Sequence, residues 1–264
     1  MRSLRVKIRA PRAISKIATL LVVAILAACS ASRAESAPVP VLLELFTSEG
    51  CSSCPPADDL LEKLDRTQPV RGAHLIVLSE HIDYWNALGW KDPFSSAQFT
   101  ARQSEYAGRI NAAQGVYTPQ LIVDGRESVV GSDEEAVSAA ISQALAEKKS
   151  PLSIGRVGRS GNDIALHVDG VAPNRAAELY VAVAYDGTRS HVTAGENAGR
   201  TLTHVAVVRY LTRVGEFAAG DKINKDIILQ PGATSANRLR LVAFLEDRQT
   251  GAVLELAEQT LPKA

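Results

Sequence analysis

The stretch 41–64, VLLELFTSEGCSSCPPADDLLEKL, constrains the fold more than any other part of the chain. It opens on an apolar run, residues 41–46, short enough to be one buried strand. Thr47, Ser48, Glu49 and Gly50 break that run, and Cys51-Ser52-Ser53-Cys54 follows. Pro55 and Pro56 come next. Two prolines are tolerated only where backbone N–H groups have no helical partner, in a first turn. Ala57, Leu60, Leu61 and Leu64 then recur at helical spacing. The two thiols are therefore expected at a strand-to-helix junction, with Cys51 at or just before the helix N-terminus. Free N–H groups there favour an anion, so a thiolate at Cys51 should be favoured. Cys54 lies about one turn on, near enough to close a small disulfide ring. One thiol can attack and the other resolve.

A second informative stretch is 115–125, GVYTPQLIVDG, which reads as loop, Thr118-Pro119, strand and tight turn. A cis X-Pro bond is costly enough that its presence is a specific feature of a fold. Four segments, ELFTSEGCSSCPPAD, SEHIDYWNALGWKDPFSSAQFTARQ, VYTPQLIVDG and GRTLTHVAVVR, together resemble a family of secreted bacterial proteins. It is the thioredoxin-like family catalogued as domain of unknown function 1223. The resemblance covers nearly all of the chain beyond its first residues. It implies a thioredoxin-like fold in which a cis-Pro119 faces the Cys51–Cys54 pair. Thr118 and Pro119 would then hold an extended client chain by strand addition. The resemblance implies no settled activity.

Residues 1–28 have the form of a secretory signal peptide. Arg2, Arg5, Lys7, Arg9, Arg12 and Lys16 precede IATLLVVAILAA, with no acidic residue. That apolar segment of about 12 residues is too short for a typical transmembrane helix. Leu26-Ala27-Ala28-Cys29 resembles a lipoprotein signal, in which Cys29 becomes the lipidated N-terminus. The alternative is cleavage after Ala34. The lipoprotein reading is preferred because Cys29 has no other evident role. Either ending exports the protein, to the periplasm or to a membrane held by acyl chains rather than by a spanning helix. The whole chain has 29 basic and 29 acidic groups, so removing those six leaves 23 against 29, a net of about −6. An acidic protein is a poor partner for a phosphate backbone, so no nucleic acid is expected. With Cys29 lipidated or removed, Cys51 and Cys54 are the one remaining pair, and an oxidising compartment allows them to form a disulfide.

Residues 29–40 read as a tether. Residues 41–149 read as the thioredoxin-like domain, in the order β-α-β-α-β-β-α. Strands are expected at 41–46 and 73–79, then a helix over 95–113 capped by Ser95 and Gln98. The strand after Pro119 pairs with 127–130, and a last helix capped by Ser132 and Glu135 ends near Lys149. From residue 150 the grammar changes. Seven short runs follow, at 152–157, 163–168, 177–185, 202–211, 222–229, 239–246 and 252–259. Turn signals separate them, Asp186-Gly187 among them. Residues 150–264 are therefore expected to be an all-β C-terminal domain. The fold class predicted is an α/β thioredoxin-like domain followed by a mainly antiparallel β-sandwich-like domain.

Cys51 and Cys54 have three readings. They exchange with protein thiols, or form an inert disulfide in a non-catalytic binding protein, or bind a soft metal such as Cu(I) with His81 as a third ligand. Zinc usually wants four ligands, and there is no second C-x-x-C. His81 could stabilise the Cys51 thiolate or move protons. Asp83 could orient His81 or deprotonate Cys54. Both could instead be loop-packing residues. Tyr84, Trp85 and Trp90 are loop anchors or a substrate platform. Glu44 is either an outward-facing strand residue or a buried proton shuttle. His191 and His204 read as ordinary strand or loop histidines, and 196–200 as a polar turn. The reading chosen is an exported thiol–disulfide oxidoreductase. Cys51 attacks, Cys54 resolves, and no organic cofactor or resident metal is needed. Its partners would be protein thiol or disulfide clients and a separate electron partner.

Overall fold

In this computed structural model, residues 37–110, 115–149, 152–232 and 238–262 are described. The expected signal peptide, Cys29 and all but the end of the expected tether lie outside them. Among the described residues no helix is long and apolar enough to cross a membrane.

Strands β1 (Val39–Thr47) and β2 (Ala73–His81) pair in parallel, with Leu43 opposite Val77. Both are buried on both faces, as parallel pairs require, and mainly apolar, with Glu44 and Glu80 as buried acids within them. Helix α1 (Pro55–Thr67) makes the crossover, starting at the two prolines. β3 (Gln120–Val123) runs antiparallel to β1, and β4 (Glu127–Val130) folds back on it through Asp124-Gly125. Helix α2 (Ala97–Arg109) is capped by Ser96, and α3 (Glu134–Ala144) by Asp133. Each cap lies one residue after the serine the sequence suggested. Phe46 meets Tyr106 of α2 edge-on, and Gly131 packs so closely that a Cβ there would come within 2.7 Å of Leu45 and 3.1 Å of Ala57 of α1.

The remaining strands are β5 (Ser153–Ser160), β6 (Asp163–Val171), β7 (Ala177–His191), β8 (Thr201–Phe217), β9 (Lys222–Leu229), β10 (Arg238–Asp247) and β11 (Val253–Pro262). They overturn the expected fold class. The protein is not an α/β thioredoxin-like domain followed by a β-sandwich. It is mostly β, with three α-helices among the described residues and one mixed eight-stranded sheet in the order β11-β10-β7-β8-β2-β1-β3-β4. β5, β6 and β9 form a separate three-stranded sheet. Residues Pro38–Ala264 cluster as one compact unit.

The physical reason lies in β7 and β8, which are 15 and 17 residues long. Asp186-Gly187 looks like a turn, but Gly187 sits within β7 opposite Val205. The chain reverses only at 192–200. The longer hairpin lets β8 run parallel to β2 at Ser79 and Val207, so the β2 edge gains a partner instead of facing solvent. Beyond that join the sheet has two packed faces. Leu179, Val181 and Val183 of β7 pack with Ile164, Leu166 and Val168 of the small sheet. Ala182 and Ala184 belong to the core shared with β1 and β2.

Buried charge ties the sheet together. Arg102 of α2 meets Glu44 of β1 at 2.7 Å and Glu246 of β10 at 3.0 Å. The Tyr106 hydroxyl donates to Glu44 at 2.5 Å. The Arg102 guanidinium lies over the rings of Tyr106, Tyr180 and Phe244. Glu80 is buried in the same cluster beside Glu44, with Arg102 Nε 3.7 Å away. Burial, then the Glu44 charge, raises the Glu80 pKa well above the usual carboxylate value.

Candidate functional site

Cys51 and Cys54 are joined as a disulfide with Cα atoms 5.4 Å apart. Cys54, rather than Cys51 as expected, stands at the N-terminus of α1: it is the N-cap, and its carbonyl accepts from the N–H groups of Ala57 and Asp58 at 2.8 and 3.1 Å. The loop before it is held by Gly50 N–H donating to Ser48 Oγ at 3.1 Å. The Thr118–Pro119 peptide is cis. The Thr118 hydroxyl lies 3.5 Å from Cys51 Sγ, and Ser53 Oγ lies 3.3 Å from the same sulfur. Trp85 Nε1 donates to Thr118 Oγ1 at 2.8 Å. An indole can only donate, so the Thr118 oxygen accepts from Trp85, and its one proton is available to the Cys51 sulfur or to the Tyr84 hydroxyl, which Thr118 also meets. Chemistry thus fixes the direction of the step from Trp85 to Thr118, and Thr118 in turn faces the Cys51 sulfur.

Both cysteines are fully buried. The loop at 192–200 contacts the segment that carries them. Buried Asn197 donates through Nδ2 to the carbonyls of Glu49 and Cys51, both at 2.9 Å. Ser52 N–H donates to Glu196 Oε2 at 3.0 Å, and Ser52 holds the exposed Glu196 carboxylate below its usual pKa. Arg200 steadies Asn197 Oδ1 at 2.8 Å. The base of the loop is closed by Val192 N–H to Arg200 O at 3.0 Å and by Gly199 N–H to Val192 O at 2.8 Å.

Around Glu49 lies a buried chamber of charge. Trp90 Nε1 donates to Glu49 Oε2 at 2.8 Å, and the Ser190 hydroxyl donates to Oε1. His204 Nε2 stands 3.4 Å from Glu49 Oε1, and its Nδ1 3.6 Å from Asp58 Oδ1. Burial alone would lower the His204 pKa, but Asp58 and Glu49 outweigh it and push it up to about 10. His204 is therefore an imidazolium at neutral pH. Burial alone would raise the Glu49 pKa, but His204, Ser190 and Trp90 keep it below the usual range. The His81 ring packs edge-on against His204 at 4.7 Å, and its Nδ1 is 2.7 Å from Asp92 Oδ2. Asp92 also accepts from the N–H groups of Glu49 and Phe94, both at 2.8 Å. With His81 these bonds hold its pKa low against the opposing effect of burial.

A family model described as a protein of unknown function, DUF1223, matches residues 42–246. The chain belongs to that family. No curated protein matches. Among solved structures, this DUF1223 protein is similar to the crystal structure of a protein from Agrobacterium tumefaciens, with 26% identity and a TM-score of 0.63. That match covers 84% of this chain and 94% of the other. A much weaker match is wild-type OgpA from Akkermansia muciniphila, at 15% identity and TM-score 0.26, covering 44% of this chain and 29% of that one.

The structure brings some of the sequence-predicted residues together and not others. Cys51, Cys54, Thr118, Pro119 and Trp85 form one group. Trp90 joins it through Glu49, and Tyr84, 40% exposed, donates to Gln103 Oε1 at 3.3 Å and also meets the Thr118 hydroxyl. Asp83 does not orient His81; its carboxylate accepts from Thr100 Oγ1 at 2.6 Å, and Asp92 takes the place assigned to it. Glu44 is buried, but its oxygens are engaged by Arg102 and Tyr106 in the ionic cluster. Among the described residues no group of three or more His, Cys, Asp or Glu is disposed to hold a metal ion. Sequence reasoning missed Glu49, Asp58, Asp92, His204 and Asn197. Two signals were present. Glu49 stands two residues before Cys51, and His204 is the one ionisable residue in LTHVAVV.

Proposed function

We propose that this protein is an exported thiol–disulfide oxidoreductase that works through Cys51 and Cys54. The observation that carries the reading is the relay of contacts from Trp85 through Thr118 to the Cys51 sulfur. A hydroxyl whose proton is aimed at a sulfur stabilises that sulfur as a thiolate. The contact of Thr118 with Cys51 supports Cys51 as the exchanging sulfur, with Cys54 at the helix cap as its resolving partner.

The exchange balances without a cofactor. A client thiolate attacks Cys51 Sγ, the Cys51–Cys54 bond breaks, and Cys54 leaves as a thiolate. A second client thiolate attacks the client sulfur of the mixed disulfide and releases the Cys51 thiolate. Two electrons pass from the client dithiol to the cysteine pair, the client keeps a disulfide, and the two thiol protons go to solvent. The reverse sequence reduces a client disulfide. A separate electron partner resets the pair. Residues 1–28 deliver the protein to the periplasm, where Cys29 supplies a lipid anchor. The mass of the mature N-terminus tests that step.

One observation favours a second reading, an inert bridge in a binding protein: both cysteines are fully buried. The reduction potential separates the two. Equilibration with glutathione buffers and counting of alkylated thiols should give roughly −120 to −270 mV for an exchange enzyme. A value below roughly −300 mV would mark the inert bridge. Thr118→Val and Trp85→Phe should each raise the Cys51 thiol pKa, read by the pH dependence of alkylation in the reduced protein. Unchanged profiles in both variants would remove the relay from the argument.

A further inference from the structure

A fully buried disulfide cannot be attacked, because the incoming sulfur must approach along the S–S axis. Exchange at Cys51 therefore requires something to move, and the structure offers one element suited to it. The loop at 192–200 touches the cysteine segment through side chains on backbone. Asn197 occupies the carbonyls of Glu49 and Cys51, and Glu196 occupies the N–H of Ser52. These are two acceptors and one donor of main chain. An extended peptide laid along residues 49–52 needs the same kinds of group, N–H for the carbonyls and C=O for the N–H. The loop side chains thus stand where the backbone of a client would bind.

The loop is also built as a separable unit. It closes on itself between Val192 and Arg200, so lifting it leaves β7 and β8 paired. Its Gly195, at φ +73°, rests against Trp90, where a Cβ would come within 3.0 Å of the Trp90 Cβ. Trp85 and Trp90 are the two tryptophans of the chain. One holds Thr118 and the other supports the loop, so each reports on one side of the disulfide.

We propose that the 192–200 loop is a latch that occupies the docking groups of residues 49–52 and yields them to an extended, cysteine-containing client peptide. The latch rests on the oxidoreductase reading above. The test uses the mature oxidised protein and dithiothreitol, with reduction followed by quenched alkylation and by tryptophan fluorescence. Asn197→Ala removes two hydrogen bonds and should speed reduction roughly 10- to 100-fold. Gly195→Ala, which pushes the loop off Trp90 without touching those bonds, should also speed it. The glutathione equilibrium potential should move far less than the rate in either variant. Arg102→Met controls for general loosening of the fold and should reduce at the wild-type rate. Wild-type rates in both loop variants, or equal acceleration in the Arg102 control, would overturn the latch. A potential below roughly −300 mV with a clear acceleration in the loop variants would instead reject the enzyme and with it the client, leaving the loop only as a cover over an inert bridge.

Discussion

The buried imidazolium of His204 makes a pH signature that can be worked out in advance. Its pKa rises from an ordinary 6.5 to about 10 in the folded protein. At about 1.4 kcal/mol per pKa unit, that gap corresponds to about 5 kcal/mol of stability. The sign follows from linkage. Below about pH 6.5 the histidine is charged both folded and unfolded, and the whole contribution is present. Above it the unfolded chain loses the proton while the folded one keeps it. Stability then falls by about 1.4 kcal/mol per pH unit and the contribution is gone as pH rises through about 10. The figure of 5 is an upper bound, since His204 meets Glu49 and Asp58 at 3.4 and 3.6 Å, longer than good hydrogen bonds. The facing groups are Glu49, Asp58 and the His81 ring, with Asp92 behind His81. The assay is urea unfolding of oxidised wild type and His204→Gln at pH 6 to 10. The variant leaves two carboxylates without their cation and should be several kcal/mol less stable at pH 6. The difference should shrink steadily and nearly vanish at pH 10. Parallel curves over the whole range would refute an imidazolium at this position.

Other perturbations test the frame of the molecule. Arg102→Met leaves Glu44 and Glu246 buried without their shared cation, and should cost about 3–5 kcal/mol in urea unfolding at pH 7. The loss should ease as pH falls and the carboxylates protonate; a loss under 1 kcal/mol would show that the cluster is not the tie between β1, α2 and β10. Gly125→Ala should be worse tolerated than any surface substitution. Gly125 has φ +64°, and a Cβ there would lie 2.0 Å from the Gly251 carbonyl oxygen, so backbone must shift. A melting temperature within a degree or two of wild type would contradict that close approach.

How legible this molecule was depends on range in sequence. The strand, the proline-started helix and the Thr118-Pro119 turn are local patterns that stand where the residues put them. The helix N-terminus, by contrast, falls at Cys54 and leaves Cys51 three residues ahead of it, not at or just before the helix as expected. The joining of the chain into one sheet was not legible, because it rests on two long strands whose polar halves look like loops. Residues 186–191, DGTRSH, carry no apolar alternation, yet Gly187 through His191 pair along β8. Their partners are specified by what lies beneath them, such as Glu49 under Ser190. The same applies to the site. Cys51 was evident from its neighbours in sequence. Asn197 was not, since it reaches Cys51 across 146 residues, and nothing in GENAGR announces a buried amide.

The composition of this neighbourhood bears on which reading of the disulfide is better. A bridge that only staples a fold is best surrounded by apolar side chains, since burying charge costs several kcal/mol per ion even when paired. Here the segment around the bridge carries Glu49, Asp58, His81, Asp92, Asn197 and His204, all buried. Replacing such groups with well-packed hydrophobic ones is often neutral or stabilising, so stability gives little reason for them. Reactivity gives a reason. Reduction of the bridge creates a negative sulfur and then a thiol, and both need partners that were in place beforehand. The Thr118 hydroxyl already faces Cys51, and Asp58 sits one turn below Cys54 with its backbone N–H on the Cys54 carbonyl. The imidazolium of His204 beside Asp58 makes added negative charge in this region less costly. If that is its role, His204→Gln should slow the exchange and raise the apparent pKa of its rate profile in addition to lowering stability. A variant that lost stability and kept the wild-type pH–rate profile would assign His204 to the fold alone.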